Sequence, residues 1–94
     1  MGEIVTAGMF LVNKHHAIVL FDSRASHEFM SQAFASKYDQ KIIEVNKGGY
    51  SISLAGATIS TNQIVRDVLM SIQEREYIVD LIVLLGLAIY VILA

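Results

Sequence analysis

Residues Ile18-Val19-Leu20-Phe21 run without interruption into Asp22, and Ser23, Arg24, Ala25 and Ser26 follow as a tight polar turn. This junction constrains the chain more than any other stretch. A short apolar run bounded by turn residues reads as a buried strand. Aspartate is depleted in strands and costly to bury, so an acid at that spot needs a reason. A buried strand that delivers one carboxylate to its own end is a way to build a catalytic acid.

The chain around that strand has 94 residues, which bounds it to one domain with a modest core. It is 54% hydrophobic and 17% charged, apolar for a soluble domain. Such a chain buries a sheet on both faces, pairs with another chain, or meets a membrane. A net charge of -2 offers no basic field for nucleic acid. The absence of cysteine excludes a disulfide framework and thiolate metal sites, and leaves the redox compartment open. No basic segment precedes an apolar run at the N-terminus, so no signal peptide is read. Localisation stays open, with cytoplasm or nucleus favoured.

Taken in order, Thr6 to Val12 reads as a strand, Asn13-Lys14-His15 as a turn, and His16 to Phe21 as the return strand with Asp22 at its end. The adjacent His15 and His16 read as a solvated turn, because neighbouring strand side chains point to opposite faces. Ser26 to Tyr38 reads as a helix. Ser26 is its expected N-cap, and Glu28 lies in the first turn, where the helix dipole favours an acid. Met30, Phe34 and Tyr38 recur at i+4 as its core face. Ile42 to Val45 is a short strand, and Asn46-Lys47-Gly48-Gly49 a loop. Tyr50, Ile52 and Leu54 alternate with Ser51 and Ser53, so Tyr50 to Thr61 reads as a hairpin with its tip at Ala55-Gly56-Ala57. Val68, Met70 and Ile72 alternate again. Gln73-Glu74-Arg75-Glu76 is a charged turn, Tyr77 to Leu85 the return strand, and Ile89 to Leu93 a last strand after the break at Gly86.

These segments resemble, in order, the retropepsin-like aspartic protease domain of gypsy-class LTR retrotransposon polyproteins of plants. Asp22, Ser23, Ala25, Ser26 and His27 match the family's Leu-Phe-Asp-Ser-Gly-Ala-Ser-His. Phe29-Met30-Ser31-Gln32-Ala33-Phe34-Ala35 is similar to Phe-Ile-Ser-x-x-Phe-Ala. Ile59-Ser60-Thr61-Asn62-Gln63 and Asp80-Leu81-Ile82-Val83-Leu84 repeat family runs. The resemblance spans about Gly8 to Ala94. It implies a mostly β, closed barrel or sandwich with one short helix, a single domain from 1 to 94 that provides half a site per chain. It further implies an aspartic endopeptidase acting on a peptide or polyprotein, with no cofactor and no metal. Asp22 would be catalytic, Ser23 would brace the loop through its hydroxyl, and Ala25 would supply a small side chain beside it. Ala55, Gly56 and Ala57 would form the tip of a flap over the substrate.

Aspartic proteases activate water with two carboxylates that share one proton. Asp39, Asp67 and Asp80 lack the strand-then-hydroxyl context of Asp22, so the second carboxylate must come from a second copy in a symmetric dimer. The chain departs from the family at Arg24, which stands where the family has Gly, at Tyr90 and Ala94, and at the absent Met-Asp-Trp-Leu end, as in a domain truncated at its C-terminus. Arg24 implies impaired catalysis. Two further readings stand beside this one. The same scaffold can serve as a non-catalytic dimerising or peptide-binding module. Alternatively, the apolar run from Leu81 to Ala94 anchors a small membrane protein. That run falls short of the roughly 20 residues a spanning helix needs, and Gly86 interrupts it, so a membrane partner is the less favoured reading.

Overall fold

In the computed structural model, which describes residues 5–23, 25–45, 48–54, 56–86 and 90–94, the apolar run ending at Asp22 is a strand. β1 (Val5–Val12) and β2 (His15–Asp22) form an antiparallel hairpin. Its loop is two residues long, shorter than expected, because His15 joins the ladder opposite Val12. Asn13 and Lys14 both take positive φ, 47° and 68°. That combination gives a tight hairpin turn the same twist as its strands. Gln73 and Glu74 repeat the arrangement, with φ of 50° and 66°, between β7 (Gln63–Ile72) and β8 (Arg75–Leu84).

The expected helix from Ser26 is corrected. Phe29–Ser31 is a strand, β3, and the helix α1 covers only Gln32–Lys37. Ser31 is the N-cap in place of Ser26: its backbone is extended and its hydroxyl accepts the Phe34 N–H at 3.0 Å. The reason is tertiary. β3 lies between β8, to which it runs parallel, and β9 (Tyr90–Leu93), to which it runs antiparallel. Both neighbours offer ladder hydrogen bonds, and Phe29 and Met30 bury on opposite faces at the strand period of two. A helix would leave that gap in the sheet unfilled, and propensity is a weak prior beside it.

The strand order β1-β2-β9-β3-β8-β7 closes through a β1–β7 pairing into a six-stranded barrel, with β4 (Ile43–Glu44) appended to β7. Closure leaves few open edges. Inside the barrel, Val12, Val19, Met30, Val68, Met70, Leu81, Val83 and Val91 are almost fully buried, with Phe34 of α1 in the same cluster. Within the apolar run that begins at Leu81, the described residues form the end of β8, a bend at Leu85-Gly86 and β9. No helix among the described residues is long and apolar enough to cross a membrane. β5 (Tyr50–Leu54) and β6 (Ala57–Thr61) form a separate two-stranded sheet outside the barrel.

Candidate active site

Asp22 is the last residue of β2 and is half-buried. Its position follows from the alternation before it. Ala17 and Val19 are locked into the barrel, with Phe21 packed against the same cluster, so the strand stays in the sheet until the carboxylate. The chain must then leave the sheet, because β9 lies between β2 and β3. Phe21 pairs with Leu93 on one side of β9, and Phe29 pairs with Ile92 on the other. The segment from Ser23 to Glu28 therefore passes over the end of β9. The Ala25 N–H donates to the Asp22 carbonyl at 3.0 Å, and the Ile82 N–H donates to the Glu28 carbonyl at 2.9 Å. These bonds fix both ends of the loop. Arg24 lies outside the described residues.

Beside this loop the outer face of the barrel is apolar. Phe29, Ile82, Leu84 and Ile92 are buried there, with Leu20 and Ala25 packed against them. The cover is the β5–β6 hairpin, which brings Ile52, Tyr50 and Ile59 into the same cluster. Thr61 ties the hairpin base to the barrel: its hydroxyl donates to the Val83 carbonyl at 2.9 Å and accepts the Gln63 N–H at 3.3 Å. Gly49, just before the hairpin, has φ of 66°, and a side chain there would meet the Thr61 carbonyl. At the tip, Gly56 is exposed with φ of 80°, a conformation that favours glycine. Ala55 and the side chain of Ala57 lie outside what is described.

The structure thus brings Asp22, Ser23 and Ala25 to one loop beside a covered apolar wall. It puts the other aspartates elsewhere. Asp39 takes positive φ just after α1. Asp67 sits at a bulge in β7, with φ of 56°, and its N–H is accepted by the Asp80 carboxylate at 3.0 Å. Sequence reasoning missed two members of the site. Phe29 belongs to the wall, which its assignment to a helix hid. His27, within the loop, approaches the hairpin: its Nδ1 is 3.1 Å from the Ser26 hydroxyl and its ring 6.1 Å from that of Tyr50. No local signal marks either one, because Phe29 needs β8 and β9 on its two sides and the His27–Tyr50 contact needs the hairpin folded back on the barrel. Among the described residues no group of three or more His, Asp or Glu side chains is placed to hold a metal ion.

The closed six-stranded barrel with one short helix is similar to the fold of a retroviral protease. A protease of EIAV, solved with the inhibitor HBY-793, superposes with a TM-score of 0.74 at 17% identity, covering 96% of this chain and 81% of that one. The family model described as retroviral aspartyl protease matches residues 2–94, so the chain belongs to that family. No curated protein matches the sequence.

Proposed function

We propose that this chain is the aspartic endopeptidase domain of a retrotransposon polyprotein, acting as a homodimer and impaired by Arg24. The observation that carries this reading is the position of Asp22 at a strand end, on a loop fixed beside an apolar wall under a hairpin. One such loop per chain supplies one carboxylate. A two-fold axis near Asp22 supplies the second.

In that dimer the two carboxylates share a proton, since like charges at close range do not both ionise. The ionised member takes a proton from water as it attacks the peptide carbonyl, and the protonated member donates to the carbonyl oxygen. The apolar wall and the hairpin hold the peptide and exclude bulk water. Ser23 orients the loop. Arg24 works against this arrangement. Its guanidinium stays charged at any working pH, and a cation near the dyad favours ionisation of both carboxylates. It also adds bulk where the family's glycine lets substrate approach.

The test compares the natural sequence, Arg24→Gly, and each combined with Asp22→Ala. The substrate is an unfolded protein at about pH 5, within the range in which such dyads titrate, with a pepstatin-type inhibitor as control. The expected result is negligible cleavage by the natural sequence, and inhibitor-sensitive cleavage by Arg24→Gly that Asp22→Ala abolishes. Cleavage by the natural sequence, lost with Asp22→Ala, would refute the impairment. A second reading is a non-catalytic peptide-binding module, favoured by a wall and hairpin that do not depend on the dyad. It is supported if the natural sequence and Arg24→Gly both bind the inhibitor and neither cleaves.

A further inference from the structure

Thr61 is the last residue of β6, and only Asn62 separates it from Gln63, where β7 begins. Among the described residues the β5–β6 sheet shares no ladder with the barrel. A two-stranded hairpin alone is marginally stable in water, so its place depends on what fastens it. The contacts of Ile52 and Ile59 with the wall are apolar. Such contacts are non-directional, so they press the hairpin down without fixing its height or angle. A hydrogen bond is directional. The β7–β8 ladder reaches only to Ile64 opposite Ile82. One residue further along β8, the Val83 carbonyl receives the Thr61 hydroxyl at 2.9 Å. The same oxygen accepts the Gln63 N–H at 3.3 Å, so its own proton is committed to Val83.

We propose that Thr61 is a positioning residue for peptide binding: its hydroxyl latches the base of the hairpin to β8 and so sets the gap between hairpin and wall that a bound peptide occupies. The role in peptide binding rests on the groove reading above, and the latch itself rests on the hydrogen bond. Three observations support it. Val83 stands between Ile82 and Leu84, both wall residues, so the anchor lies on a strand that builds the wall. Thr61 pairs with Tyr50 across the base of the hairpin, so one bond places both strands. Gly49, next to Tyr50, has no side chain where one would meet the Thr61 carbonyl, so the backbone admits this close approach. The neighbouring bond, from the Val45 N–H to the Asn62 carbonyl at 2.7 Å, holds the return into β7 but does not reach the wall. Opening the hairpin to admit an extended chain breaks the latch, and closing over the chain re-forms it.

The experiment uses the full chain, in the natural sequence and with Arg24→Gly, and compares Thr61→Val with Thr61→Ser in each. Valine keeps the branched shape and strand preference and removes the hydroxyl, whereas serine keeps the hydroxyl. Amide hydrogen exchange read by NMR compares opening of Tyr50–Leu54 and Ala57–Thr61 with that of the barrel amides of Val65, Leu81 and Val91. Fluorescence anisotropy of labelled pepstatin A reads affinity. Thr61→Val is expected to speed hairpin exchange about fivefold, the worth of one net hydrogen bond, with barrel exchange changed less than about twofold. Pepstatin affinity falls by a similar factor, mainly through faster dissociation, and Thr61→Ser restores both. Unchanged hairpin exchange in Thr61→Val overturns the latch. So does equal acceleration in the barrel, which marks a loss of global stability, or failure of Thr61→Ser to restore the rates. Faster hairpin exchange with unchanged pepstatin affinity overturns the role in peptide binding. Pepstatin binding in neither background refutes the groove reading and that role with it, while the exchange rates still decide the latch.

Discussion

Asn13 does with its side chain what a backbone carbonyl does elsewhere in the barrel. The β1–β7 seam is short, with only Leu11 and Val12 paired to Ser71 and Met70. Asn13 lengthens it: its N–H donates to the Leu69 carbonyl and its Oδ1 accepts the Leu69 N–H, both at 2.7 Å. Its Nδ2 donates to Gln40, fastening the seam to the segment after α1. Asn13→Gly keeps the positive φ and removes these side-chain bonds, so chemical denaturation should show a loss of about 1–3 kcal/mol. Asn13→Ala should lose more, because alanine resists that φ. Equal stabilities for the two variants would assign the role to the bonds alone. Ser31 works in the same way at α1. It is completely buried and its hydroxyl is committed to the Phe34 N–H. Ser31→Ala is expected to lower stability by about 1–2 kcal/mol, read from the denaturation midpoint, while Ser26→Ala at the expected cap changes it little.

The two tight hairpins show how local chemistry and pairing divide the work. Both turns place two residues at positive φ. Asn13 suits that geometry, whereas Gln73 and Glu74 do not. The ladder from Val68 to Ile72 against Arg75 to Val79 holds the turn against its own preference. Glu74→Gly should therefore raise stability by about 0.5–1 kcal/mol and the melting temperature by about 4 °C. A lower melting temperature would mean that the Glu74 side chain stabilises the turn. The same hairpin carries the bulge at Arg66-Asp67, where the Asp80 carboxylate takes the displaced N–H. That contact gives Asp80 a structural use within the run that resembles the family.

For the molecule as a whole, the proposed chemistry requires two chains. The chain has a mass of 10.4 kDa, and sedimentation equilibrium is expected to report a species of twice that mass. A well-folded monomer at high concentration would remove the route to a two-carboxylate site and leave the binding-module reading in place. Circular dichroism should be dominated by strand signal, because the helix is confined to Gln32–Lys37.

Much of this architecture was legible in residue order. The alternation of Tyr50, Ile52 and Leu54, and of Val68, Met70 and Ile72, marks strands because side chains on a strand alternate faces. The approach of Ile18 to Phe21 on Asp22 marks the loop that the structure holds beside the wall. These are local patterns, and a one-dimensional sequence records them. The tertiary structure alone decided that Phe29–Ser31 is a strand, since only the gap between β8 and β9 makes that backbone more favourable than a helix. It alone decided that β9 runs parallel to β2 and lies under the loop after Asp22. It alone folded Ile52 and Ile59 back onto Leu84 and Ile92. Each of these depends on partners distant in sequence, and the periodicity of a segment says which face is apolar but not which surface covers it.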